Sequence, residues 1–314
     1  MFLRTAVLTP VVVAALVAPG AAAAPHAAGD GGPRAADGWQ RAGDDITSGI
    51  SGLALASRAD GATHALVVRD NKEPGQNRVA DLTYRPGSSA VVEPLAWAGG
   101  GEPVDLEAIE AVPGATDEYV ALASRGLVYR LKVTGSEAQV LDTSPLPAIA
   151  DGDDYESFAL TSRHGRLAAV WADRGAGKDR PATVHAAPFS FNTYGEADFG
   201  PVTTARFRAP YPTGDVRHAS DLSVTETGRL LVGSASDAGD DGPFDSAVLD
   251  AGKVSVSRSG AVRLSVDTSP DVLRTFKGHK IEAVECVPGT RTAVLGTDDE
   301  NGGGSVNSAR VCGE

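Results

Sequence analysis

Short apolar runs alternate with Gly- and Pro-bearing turns along most of the chain, and helical periodicity is nearly absent. Five segments start alike: a polar residue, a small or polar residue, then an aliphatic or aromatic one. They are Ser51-Gly52-Leu53, Glu107-Ala108-Ile109, Glu156-Ser157-Phe158, Ser220-Asp221-Leu222 and Glu282-Ala283-Val284. After a tight turn comes a second β-rich run: ALVV (65–68), YVAL (119–122), LAAVW (167–171), LLVG (230–233) and TAVLG (292–296). Two such runs joined by a short turn predict an antiparallel hairpin.

A second polar column follows at a fixed distance. Seventeen residues after Glu107, Glu156, Ser220 and Glu282 stand Ser124, Asp173, Asp237 and Asp299, and Asp70 lies nineteen after Ser51. In a hairpin the end of the second strand lies beside the start of the first, so both columns fall on one edge of the sheet. Outer runs such as LVYRLKV (127–133), TVHAAPF (183–189) and SAVLDAG with KVSVS (246–257) add strands to each unit. Starts 49 to 64 residues apart suit one four-stranded blade each. The expected fold is therefore an all-β propeller of five blades over residues 46–314, with six blades or a β-sandwich as rivals. The last unit has room for three strands, and the segment before Ser51 is expected to supply its fourth.

The N-terminus reads as a secretory signal over residues 1–24. Arg4 precedes an apolar stretch that ends in small residues near Ala23 and Ala24, and Pro10, Pro19 and Gly20 interrupt it against a spanning helix. Residues 25–45 read as a flexible leader. Export implies a secreted, extracellular protein, expected to be monomeric.

Charge narrows the partners. The chain carries 28 Lys+Arg against 41 Asp+Glu, a net charge of −13. Such a surface repels a phosphate backbone, so nucleic acid is excluded as a partner. An extracellular small molecule or protein is expected instead. Cys286 and Cys312 are the only cysteines, and in an oxidising compartment a lone pair predicts a disulfide. One difficulty stands against it: if the two lie on strands two apart, roughly 9.6 Å separates them, unless the C-terminal tail bends inward.

In a propeller the first strand of each blade lines the channel, which places Ser51, Glu107, Glu156, Ser220 and Glu282 in a ring. Two residues earlier stand Gly49, Asp105, Asp154, His218 and Lys280. Clustered carboxylates need raised pKa values or a cation among them. A calcium site on Glu107, Glu156, Glu282, Asp173 and Asp299 is the expectation, because all-oxygen ligation selects a hard cation. Asp105, Asp154, His218, Asp237 and Lys280 are the candidate ligand-binding residues beside it. Turn capping and bonds to backbone N–H groups are the alternative for each acidic residue. No HExxH, P-loop or nucleophile elbow occurs.

The stretches DLEAI (105–109), YESFAL (155–160), ASDLSV (219–224) and KIEAV (280–284) resemble blade starts of the SdiA-regulated-like and esterase-like-phytase propellers. That resemblance implies a secreted or periplasmic propeller with calcium near the channel, and Glu107, Glu156 and Glu282 in the motif's Glu positions. The chain departs from the motif: Ala or Ser replaces the Gly after each Glu, and two blades carry Ser. Two functions stay open. One is a propeller that binds a cation and a ligand at one face. The other is a metal-dependent hydrolase of phosphate or related esters, with Arg174 and Lys280 as anion clamps.

Overall fold

The computed structural model describes residues 38–313. The expected signal and most of the expected leader lie outside the described residues. A two-residue strand, β1 (Gln40–Arg41), comes first, and four groups of antiparallel strands follow. Blade 1 is β2 (Gly52–Ala59), β3 (Ala62–Val68), β4 (Val79–Tyr84) and β5 (Val91–Ala98). Blade 2 is β6 (Leu106–Ala111), β7 (Glu118–Ala123), β8 (Leu127–Thr134) and β9 (Glu137–Pro145). In blade 3, β10 (Tyr155–Arg163), β11 (Arg166–Asp173) and β12 (Ala182–Phe191) are edged by β13 (Ala197–Phe199) and β14 (Thr203–Phe207), both paired with β12. Blade 4 is β15 (Val216–Val224), β16 (Arg229–Ser236), β17 (Asp245–Val256) and β18 (Val262–Lys277).

Blade 5 combines the two ends of the described chain. β19 (Ile281–Cys286), β20 (Thr292–Asp298) and β21 (Gly304–Arg310) form three strands, and β1 pairs with β21 as the fourth. The ring thus begins before residue 46, inside the segment read as leader. The first strands touch in a closed circuit, β2 to β6 to β10 to β15 to β19 and back to β2. That circuit makes the fold a five-bladed β-propeller and rules out six blades and the sandwich.

The apolar runs are explained by burial on both faces of each sheet. Five apolar clusters fill the five gaps between blades. In β11, Val170 and Ala172 pack toward blade 4, while Ala169 and Trp171 pack toward blade 2. LAAVW therefore reads as a continuous apolar run because neither face of its strand meets water.

One irregularity positions the channel residues. The pairing of first and second strands slips by one residue at Glu107, at Glu156 and at Glu282. Each Glu is the extra residue of a β-bulge, a device that re-aims a side chain and leaves its residue outside the ladder. The adjoining residues Leu106, Ala108, Tyr155, Ile281 and Ala283 stay buried in the inter-blade clusters.

The disulfide forms. Cys286 and Cys312 are bonded with Cα atoms 5.8 Å apart. The strand-spacing difficulty disappears because Cys312 lies beyond the end of β21. The tail turns inward under β20, and the Cys312 N–H donates to the Arg291 carbonyl at 3.0 Å.

Candidate functional site at the channel mouth

The bulges bring Glu107, Glu156 and Glu282 together where the first strands begin, and basic side chains interleave with them. Arg217, on β15, reaches across the mouth. Its Nη1 lies 3.3 Å from Glu156 Oε1 and 3.1 Å from Glu282 Oε1, and its Nε lies 3.1 Å from Asp237. Arg174 grips Glu156 at 2.9 Å and Asp154 at 3.1 Å. Lys280, almost wholly buried, pairs with Glu282 at 3.0 Å and also with Glu300. Burial opposes the charge on Lys280 and Arg217, yet the carboxylates outweigh it and raise both pKa values. Desolvation pushes Glu156 up to about 7, against the pull of Arg217 and Arg174.

Glu107 differs from its two counterparts. Among the described residues no Lys or Arg forms an ion pair with it. Burial, followed by the charges of Glu156, Asp105, Glu282 and Asp70, holds its carboxyl well above the ordinary range. It is hydrogen-bonded to Asp105. Burial acts against ionisation of Asp105 as well, but there it is outweighed. Ser124 Oγ donates to Asp105 Oδ2 at 2.5 Å, Lys72 Nζ lies 3.0 Å from Oδ1, and the Asp105 pKa is lowered. Asp105 also has a left-handed backbone, φ 67°, a conformation that costs a non-glycine residue energy and gathers at functional sites. On blade 1, burial and then Glu282 push Asp70 up to about 6.

The second column holds the edge in place. Asp173 accepts the Asp154 N–H at 2.9 Å and the Gly175 N–H at 3.0 Å, and pairs with Arg180. Asp299 accepts the Lys280 N–H at 2.7 Å, the Thr297 hydroxyl at 3.1 Å and His279 Nδ1 at 2.9 Å. Each caps the backbone two residues before a channel Glu, which gives the seventeen-residue offset its structural meaning. Asp105, Asp154, Asp237 and Lys280 stand in the mouth as expected. His218 does not: its Nε2 donates to the Gly177 carbonyl at 2.7 Å, its Nδ1 accepts the Ala209 N–H at 3.1 Å, and burial lowers its pKa. That tautomer clasps two loops. At Gly49 a Cβ would meet the Asp298 carboxyl at 2.4 Å, so any larger residue requires that side chain to shift. Blade 5 thus fills blade 1's place in that column.

Arg217, Lys72, Asp298 and Glu300 belong to the mouth although the sequence columns miss them. Arg217 adjoins His218 in a strand whose pairing slips across residues 218–220, so its column position is shifted by one. Among the described residues no group of three or more His, Cys, Asp or Glu side chains is arranged to hold a metal ion. The neutralisation of Glu156 and Glu282 comes from the chain's own guanidinium and ammonium groups.

No protein-family profile matches the chain, and no curated protein matches it. Solved structures do. A glycoside hydrolase family 43 protein from Bacillus licheniformis matches at 15% identity and TM-score 0.42, over 70% of this chain and 44% of that one. This chain therefore spans less than half of that protein's length. An α-L-arabinofuranosidase from Clostridium thermocellum matches at 11% identity and TM-score 0.42, over 82% of each chain. An exo-1,5-α-L-arabinanase from a bovine ruminal metagenomic library matches at 10% identity and TM-score 0.48, over 85% of this chain and 95% of that one. These neighbours are glycoside hydrolases, and they correct the expected resemblance to the SdiA-regulated-like and esterase-like-phytase families, which is set aside.

Proposed function

We propose that the chain is an exported propeller hydrolase that cleaves glycosidic bonds at the channel mouth by carboxyl acid–base chemistry. The observation that carries this reading is the separation of carboxyl states within one small space. Glu107 is desolvated and surrounded by negative charge, which holds its pKa well above the ordinary carboxylate range and favours its protonated form. Asp105, beside it, is ionised through Ser124 and Lys72. Asp70, with its pKa about 6, is ionised at neutral pH. Titratable groups whose environments drive their pKa values apart are the signature of an acid and a base working at one pH, and glycoside cleavage needs one of each.

The roles follow from these states. Glu107 gives its proton to the departing glycosidic oxygen as the C–O bond breaks. Asp70 takes the proton of the water that adds to the anomeric carbon. Asp105 is a positioning residue that orients the Glu107 proton. Solvent returns a proton to Glu107 and removes one from Asp70. Neutral polyhydroxylated substrates suit a mouth in which carboxylates and guanidinium groups alternate, since each hydroxyl both donates and accepts. Phosphate esters suit it less, because carboxylates surround every cation present. Glycosidic bonds are also what the arabinanase and arabinofuranosidase above are named for cleaving.

Purified protein incubated with aryl glycosides and with arabinan, galactan and xylan tests the reading. Turnover of at least one is expected, with Glu107→Gln and Asp70→Asn each folded and each at least about 10²-fold slower. A wild-type protein silent across the panel, or a Glu107→Gln variant with full turnover, refutes it. Calcium remains to be tested separately, by elemental analysis and by melts with and without chelator.

A further inference from the structure

The far end of the channel holds a second site. A cavity of about 930 Å³ opens where the first strands of blades 2 to 5 end, within the size range of small-ligand pockets. Its walls carry the hydroxyls of Thr161, Ser223 and Thr225, and its floor carries Glu110 and Glu285. The two Glu residues stand three after Glu107 and Glu282. In a regular strand an odd spacing sends side chains to opposite faces, but the intervening bulge restores both to the channel. Behind them Asp221 accepts the Val284 N–H at 2.6 Å.

Glu110, Asp221 and Glu285 come from three blades, and burial acts first on each; after it, the charge of Glu110 raises the pKa of Asp221, and the charges of Glu110 and Asp221 raise that of Glu285. Burial pushes Glu110 up to about 8. Among the described residues none of the three has a Lys or Arg ion pair. Arg163 and Arg291 also line the cavity, and among the described residues neither forms an ion pair with a carboxylate. The carboxyls are hydrogen-bonded instead: Glu110 accepts the Ala111 N–H at 2.9 Å and bonds the Leu160 backbone, and Glu285 is bonded to Ser223. The channel mouth shows what the same residue type takes when a partner is supplied, namely an ammonium or guanidinium at about 3 Å.

We propose that this cavity binds a small organic cation, a hydroxylated primary amine, with its ammonium on Glu110 and Glu285 and its hydroxyls on Thr161, Ser223 and Thr225. A metal ion does not fit as well, because the acidic side chains are not arranged as a metal site and the volume far exceeds an ion. An ammonium supplies the missing positive charge and fills the hydroxyl-lined space. Binding displaces the carboxyl protons into solvent. The site lies at the opposite face from Glu107 and stands independently of the glycosidase reading.

Titration calorimetry of the wild-type protein with glucosamine, with glucose as its uncharged counterpart and with calcium chloride tests it. Glucosamine is expected to bind at least about tenfold more tightly than glucose, with proton release that changes the heat between buffers of different ionisation enthalpy. Glu285→Gln should weaken it by about tenfold or more with the melting temperature kept, and Glu107→Gln should leave it unchanged. Equal affinity for glucose, unaltered binding in Glu285→Gln, displacement by calcium at equal concentration, or no glucosamine binding overturns the proposal.

Discussion

The two ends of the channel are built from the same residues with opposite electrostatic outcomes. At the mouth, Glu156 and Glu282 share Arg217, and Lys280 and Arg174 complete the pairing. At the far end, Glu110, Asp221 and Glu285 hydrogen-bond to hydroxyls and backbone amides, and among the described residues none of them has a Lys or Arg ion pair. A glutamate on a first strand therefore has no fixed meaning. Its protonation follows from which neighbours the adjoining blades send, and the cations paired with the channel Glu residues come from blades 3, 4 and 5. Glu107 shows the boundary: it faces the mouth, yet the cation on its side, Lys72, pairs with Asp105 instead, and burial with the surrounding carboxylates holds its pKa well above the ordinary range.

This contrast can be broken by experiment, most forcefully at Arg217. Arg217→Met takes one of two cations from each of the buried Glu156 and Glu282 and the ion pair from Asp237, and breaking a buried pair from one side costs about 3–5 kcal/mol. Urea unfolding should show a loss of that order. A loss under about 1 kcal/mol would mean that the mouth is as cation-poor as the far end. Next in size is the disulfide beneath the far cavity. Cys312→Ser opens a loop of sequence separation 26 and should cost about 3 kcal/mol, read as a matching drop when reductant is added to the wild type.

The third test is the pH profile of the melt. Asp70, Glu156 and Glu110 bind protons in the folded protein up to about 6, 7 and 8, whereas the unfolded chain releases them near 4. The folded state thus holds more protons through this window, and stability declines as pH rises from about 5 to about 8. Asp105 and Asp237 have lowered pKa values and act with the opposite sign, so their contribution disappears on acidification below about 4. A melting temperature flat from pH 5 to 8 contradicts both raised sets. The smallest effect expected is on Glu285→Gln, which removes one member of the far cluster. It should stabilise the protein by about 1 kcal/mol at pH 8 and by almost nothing at pH 5. Destabilisation at both values would show that Glu285 holds the fold through its bonds to Ser223 rather than straining it by charge.

Most of the fold was legible because the signal is repeated. Hairpins such as YVAL after EAVPG recur with the same offset, and the short last unit called for a strand from the other end, which Gln40–Arg41 provides. The mouth residues Glu107, Glu156, Glu282, Asp105, Asp154, Asp237 and Lys280 were readable from the same columns. Two things were not. A bulge leaves no mark in a single sequence, so Glu110 and Glu285 fall on the wrong face by simple alternation although E-A-[IV]-E stands in both blades. Partner choice was hidden as well, since Arg217 meets Glu156 and Glu282, and Lys72 meets Asp105, across blade boundaries. Asp173 and Asp299 were legible as recurring positions, while their work on backbone N–H groups depends on where Asp154 and Lys280 turn.

The clasp of β1 on β21 sets the order of assembly. Gln40 faces Val306 and Arg41 faces Ser305, so one of the earliest described segments to be synthesised pairs with one of the last. During synthesis the chain would emerge with blades 1 to 4 free to form from neighbouring segments, while blade 5 and its contacts with blade 1 wait. A long-separated pairing of this kind is slow because the whole intervening chain must be organised first. The ring is consequently open along one seam until the final strand arrives, and a quality-control protease would find its substrate there.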